Sequence, residues 1–90
     1  MVIRKLIWDD WNTYHIARHY VNRAEIENVC FGSRIQINKA GDGKISVIGK
    51  TMDGRYLTIF LASRTAGNFY PISARDSALK ERKLYKRKFR

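Results

Sequence analysis

Two histidines four residues apart, arginines at the ends of apolar runs, and a glutamate four residues before a tyrosine are the groups in this chain whose types and spacing could do chemistry. His15 and His19 have the spacing of two zinc ligands on one helix, but "HIARH" lacks the glutamate of HExxH. With one cysteine and no third ligand in view, neither a metal nor any other cofactor is expected. Trp11, His15 and Arg18 share a helical face with His19 beside it. In a core those histidines are packing residues, and in a cleft one of them can shuttle a proton near neutral pH. His19 is read as structural and His15 is left open. Arg64 and Arg75 each close an apolar run. Arginine's planar fork meets two phosphate oxygens at once, although any one arginine also serves as a surface ion-pair partner. Glu81 and Tyr85 can touch on a helix, and Lys80, Lys83, Lys86, Arg87, Lys88 and Arg90 spread around them.

Charge narrows the partner. A formal charge of +10 and a pI near 10.2 call for an anionic one. The cations are interspersed with Trp, Tyr, Phe, Ile and Val, so the chain folds and still carries a positive face. Nucleic acid leads over a membrane surface, because no apolar run approaches spanning length and no signal-peptide pattern is present; a cytoplasmic location is expected. Ninety residues make one domain, 1–90. Cys30 has no internal partner and falls on the apolar side of a helix, as a reduced buried thiol would.

The elements that must position these groups are legible in outline. "IRKLIW" reads as a first strand over 3–8, followed by Asp9 and Asp10 as capping candidates and a helix from Trp11 to His19. In "VNRAEI", Asn22 caps, Glu25 closes a capping box, and Val21 with Ile26 forms a hydrophobic staple, so a second helix runs to Cys30 and Gly32 serves as its C-cap. The period then alternates. "RIQIN", "KISVIGK", "RYLTIFLASR" and "FYPIS" are four strands separated by Gly-, Asn- and Asp-bearing turns, with Asp53-Gly54 the strongest hairpin signal. "RYLTIFLASR" is apolar on both faces and should be central, whereas Pro71 favours an edge or a strand end. Asp76 or Ser77 caps a last helix with Ala78, Arg82, Tyr85 and Phe89 on one stripe. The expected fold is α+β: a mainly antiparallel sheet with two N-terminal helices on one face and a C-terminal helix.

Three runs, "WDDWNTYHIARHYV", "GKTMDGRYLTIFLASR" and "YPISARDSALKERKLYKR", together resemble the BrnT-type toxins of bacterial type II toxin-antitoxin systems. The resemblance implies a RelE-like fold and a metal-independent ribonuclease that cleaves messenger RNA and arrests translation. It also implies a cognate antitoxin, BrnA-like and DNA-binding, with a dimer or a heterotetramer left open. Members of that family often carry Lys-His-Gly near the end of the first helix, where this chain has Arg18-His19-Tyr20. Such cleavage needs a base for the 2′-hydroxyl proton, donors for the charge growing on the phosphate, and an acid for the leaving 5′-oxygen. On that reading Arg64 and Arg75 hold the phosphate, provided the "TAGN" turn brings them to one edge. Glu81 or His15 is the base, and Tyr85 or His15 is the acid or stacks a nucleobase. Glu81 would be efficient only with its pKa raised toward neutrality. Arg18, Lys50, Arg55, Arg82, Lys83, Lys86 and Arg87 form the RNA-binding surface, with Tyr56 and Tyr70 able to stack bases. Two other classes fit the same composition: a non-catalytic basic nucleic-acid-binding domain, and an interaction module for an acidic protein.

Overall fold

The computed structural model describes residues 2–89, so Arg90 lies outside the described residues. Along the chain run β1 (Lys5–Leu6), α1 (Asp10–Ala17), α2 (Arg23–Cys30), β2 (Gln36–Gly41), β3 (Lys44–Lys50), β4 (Tyr56–Ser63), β5 (Asn68–Asp76) and α3 (Leu79–Lys88). The architecture is α+β, with three helices on a five-stranded sheet of order β1-β5-β4-β3-β2. Only the β1–β5 pairing is parallel.

Eight-residue helices are marginal alone, so caps and tertiary anchors must hold α1 and α2. Asp9 caps α1 in a reciprocal box with Asn12. The fully buried Asn12 amide also donates to the carbonyls of Ile7 (2.9 Å) and Pro71 (3.1 Å), which ties the helix to β5. The Asn22–Glu25 box of α2 forms as expected, and Val21 and Ile26 are both buried. Cys30 is a buried free thiol whose pKa is pushed up to about 12 by burial, then by Glu27. Gly32 does not act as a left-handed C-cap, because Phe31 ends α2 with φ −96° and Gly32 instead lets the chain pass close to the Asn28 carbonyl.

β4 is central, as its two apolar faces require. Register sets the faces: Val47 lies opposite Ile59 and Gly49 opposite Leu57, and a Cβ on Gly49 would stand 2.5 Å from Val29. The face bearing Ile45, Val47, Leu57, Ile59, Leu61 and Ala74 is therefore the inner one, packed under Ile16 of α1 and Ile26 and Val29 of α2. The alternate residues Lys50, Tyr56, Thr58, Phe60, Ala62, Tyr70, Ser73 and Arg75 form an outer face.

Three expectations are corrected. β1 has two residues, not six, because after Ile7 the chain turns away to cap α1. β5 is an interior strand, and Pro71 is tolerated there because it sits beyond the short β1 pairing and at the register shift after Phe60. The N-cap of α3 is Ala78, not Asp76 or Ser77. Tertiary partners have taken both: Asp76 pairs with Arg55, and the Ser77 and Thr58 hydroxyls are 2.8 Å apart. The Ala78 N–H donates to Glu81 instead (2.7 Å). α3 lies against the outer face at the β3–β4 end, through the stripe expected of it: Tyr85 meets Tyr56 edge-on and Phe89 packs on Tyr85. No described helix is long and apolar enough to cross a membrane.

Candidate nucleic-acid interface

The alternation of β4 and β5 places three aromatic rings along the outer face, and each carries cations. Arg64 lies over Tyr70 with its guanidinium carbon 5.0 Å from the ring centroid, and Arg75 lies over Phe60 at 5.5 Å. Tyr56 gathers three: Arg82 at 4.9 Å, Lys86 at 5.5 Å and Lys50 at 5.6 Å. Five cations on three rings along one sheet face make a surface that can follow a polyanion and stack unpaired bases. At the far end the Tyr70 hydroxyl donates to the Asp9 carboxylate, 2.9 and 3.0 Å from its two oxygens. The Asn12 N–H, then that hydroxyl, hold Asp9 below the usual carboxylate range.

Arg75 and Glu81 meet fork to fork, at 2.7 and 2.9 Å. β5 presents the arginine opposite Thr58, and the capping geometry of α3 turns the glutamate back onto it. The Arg75 hydrogen bonds, then the Ala78 N–H, hold Glu81 below its ordinary value. The raised pKa that an efficient base would want is thus reversed by the partner. The carboxylate is ionised at neutral pH and is a weak base while Arg75 holds it.

Tyr56 stands beside a cavity of about 390 Å³ between the C-terminal end of α2, the 32–34 segment and α3. Lys50 and Lys86 line both the cavity and the ring; Asn28, Ser33, Arg34 and Phe89 are among its other walls. No carboxylate among the described residues pairs with Lys50, Arg82 or Lys86.

Other expected site residues fall elsewhere. Arg64 and Arg75 share a face, and their guanidiniums reach to Tyr70 and Phe60, rings two register positions apart, whereas their backbones are about 20 Å apart along β4, with Arg75 opposite Thr58 and Arg64 after Ser63. The reason is hairpin geometry, since the "TAGN" turn joins the end of β4 to the start of β5 while Arg75 stands near the end of β5. Tyr85 is buried, and its hydroxyl donates to the Arg34 carbonyl (2.9 Å), so it anchors α3 and has no free proton to give. Burial is the first cause that raises its pKa. Arg55, expected on the RNA-binding surface, is engaged within the fold. Its guanidinium is bound to Asp76 (2.7 Å), the Tyr20 carbonyl (2.6 Å) and Glu25 (3.1 Å), clasping the hairpin to the α1–α2 junction.

His15 looks into neither core nor cleft. It stacks on the exposed Trp11 at 4.9 Å with His19 edge-on at 5.8 Å, on a helix that covers the inner face. The sheet separates both histidines, and Arg18 with them, from Arg75 and Glu81. Lys83 and Arg87 are exposed on α3. Tyr20, standing where the family pattern has glycine, keeps a left-handed φ of 60°. Phe60 and Arg34 were missed as site residues. The alternation of β4 could have placed Phe60 beside Tyr56, whereas Arg34 lies where the resemblance is silent. No group of three or more described His, Cys, Asp or Glu side chains could hold a metal ion.

No protein-family model and no curated protein matches the chain. Among solved structures, the chain is similar to the Brucella abortus ribonuclease toxin BrnT, with a TM-score of 0.66 at 18% identity over 82% of this chain and 96% of that one. The fold is that of BrnT. At this identity the likeness concerns backbone architecture, and the chemistry has to be argued from the side chains.

Proposed function

We propose that this protein is a BrnT-like toxin, a metal-independent endoribonuclease that cleaves messenger RNA in the cytoplasm and is neutralised by a BrnA-like, DNA-binding antitoxin. The observation that carries the reading is the outer face itself, a row of cation-covered rings with a bidentate Arg75–Glu81 pair in its middle. The fold shared with a ribonuclease toxin supports it. A single strand lies along the row, its backbone against Arg64, Arg75 and the Tyr56 cations. A phosphate that reaches Arg75 competes with Glu81 for the same fork. As the fork turns to the phosphate, the carboxylate loses the partner that lowered its pKa and becomes the better base for the 2′-hydroxyl proton. The 2′-oxygen then attacks phosphorus, the bond to the 5′-oxygen breaks, a 2′,3′-cyclic phosphate forms, and water protonates the leaving oxygen. Arg75 stabilises the charge that develops on the phosphate.

Purified protein with labelled RNA in excess chelator tests this. Fragments ending in cyclic phosphate are expected, with loss of cleavage in Arg75→Ala and Glu81→Gln and loss of growth arrest on expression of either. A gel shift with intact RNA would instead support the second reading, a non-catalytic RNA-binding domain. What favours that reading is that Arg75 holds the Glu81 carboxylate below its ordinary value, as a weak base.

A further inference from the structure

We infer that the Tyr56 cluster and the cavity beside it form a site for one unpaired nucleotide, with the phosphate among Lys50, Arg82 and Lys86 and the base in the cavity. This deepens the ribonuclease reading and rests on it for the claim that the nucleotide belongs to RNA. Three like charges lie within 5.6 Å of one ring centroid, and no described carboxylate makes an ion pair with any of them. Cation–π attraction offsets part of their repulsion, and an anion set between them offsets the rest. The neighbouring cavity makes the ligand more than a bare anion. Lys50, Lys86 and Tyr56 belong to both, so a phosphate held by the lysines has its nucleoside directed inward. At about 390 Å³ the space is at the small end of ligand pockets, which suits a flat heterocycle. Its walls supply an amide and a hydroxyl, from Asn28 and Ser33, for a base edge, and the Phe89 ring for its face. A paired base cannot enter such a recess, so the strand must be single there. Tyr56 is two residues from Thr58, the partner of Arg75, or about 7 Å along the strand, so the nucleotide held here is a close neighbour of the one at the Arg75–Glu81 pair.

The test is calorimetric titration of the whole protein with adenosine and uridine 5′-monophosphates, with inorganic phosphate and with the free nucleosides. At least one monophosphate should bind about tenfold more tightly than phosphate or its nucleoside. Lys50→Ala/Lys86→Ala should weaken it by about tenfold or more, while Arg23→Ala/Lys39→Ala, equal in charge and exposed on the helix-covered side of the sheet, should stay within about twofold. Ser33→Trp fills the cavity while removing none of the cations, and should bring nucleotide affinity down to that of phosphate, which stays unchanged. Equal affinity for phosphate and nucleotides overturns the site, as does equal weakening by the two double variants or indifference to Ser33→Trp. Mononucleotides have no scissile bond, so nucleotide binding without RNA cleavage would count against the ribonuclease reading alone, and cleavage without nucleotide binding against this site alone.

Discussion

Arg55 and Tyr56 are consecutive, yet they head two regions with opposite treatment of charge. On the inner side, Arg55 is bound through Nε and one terminal nitrogen to Asp76, Glu25 and the Tyr20 carbonyl. On the outer side, Tyr56 collects Lys50, Arg82 and Lys86, none of which makes an ion pair with a described carboxylate. A net charge of +10 does not by itself say which cations serve a partner. The difference teaches that the supply of counter-charges decides it: the few acidic side chains are spent where the fold needs clasps, and the Tyr56 end of the outer face is left positive.

The comparison can be broken most forcefully at Arg55. Arg55→Met leaves a half-buried Glu25 without its partner and releases the Tyr20 carbonyl, and urea unfolding should show a loss of about 3 kcal/mol. Affinity for non-cleavable RNA, measured where the variant is folded, should change less than about twofold. A stable variant with weakened RNA binding would reverse the roles assigned to the two sides.

Glu81→Gln is the next largest, with RNA cleavage expected to fall by about a hundredfold at pH 7. Its pH dependence sharpens the point. The folded pKa of Glu81 is depressed, so the stability that its pairing contributes is present above the ordinary glutamate value, near 4.3, and is lost as pH falls through the folded value. The stability gap between wild type and Glu81→Gln should therefore close below about pH 4, and kcat/KM should be flat from about pH 5 to 7. An acid limb centred near neutrality would mean a different base.

Arg82→Met removes one outer cation that no carboxylate holds. RNA affinity should fall by about tenfold and the salt slope by about 0.7, with unfolding free energy unchanged within about 0.5 kcal/mol. Tyr20→Gly is the smallest: it relieves a left-handed backbone while keeping the carbonyl that Arg55 uses, and should stabilise the protein by about 1 kcal/mol. A loss on that substitution would show that the exposed Tyr20 ring contributes more than its backbone strain.

What could be read from sequence follows the range of the interaction. The Asn22–Glu25 box is settled within four residues, and the outer row of Tyr56, Phe60 and Tyr70 follows from strand alternation. The α3 cap was misread because Asp76 and Ser77, good caps locally, are claimed by Arg55 and Thr58 from other strands. Pro71 misled because its tolerance depends on a register shift and on how soon β1 ends. Hairpin counting separates the backbones of Arg64 and Arg75, and only the side-chain directions, which no local pattern gives, carry the guanidiniums back to Tyr70 and Phe60. Arg55 looked like its basic neighbours, since nothing local distinguishes a clasp from a free cation.

The most direct test of the central claim is the salt dependence of binding to a non-cleavable 2′-deoxy single strand. Wild type would be compared with Lys50→Ala/Arg82→Ala/Lys86→Ala and with an equal-charge control on the helix-covered side of the sheet, Arg18→Ala/Arg23→Ala/Lys39→Ala. The account predicts that the slope of log affinity against log salt drops by about 2 in the first variant and hardly moves in the control. Equal drops in both, or none in the first, would contradict the claim that the outer face around Tyr56 is where the nucleic acid lies.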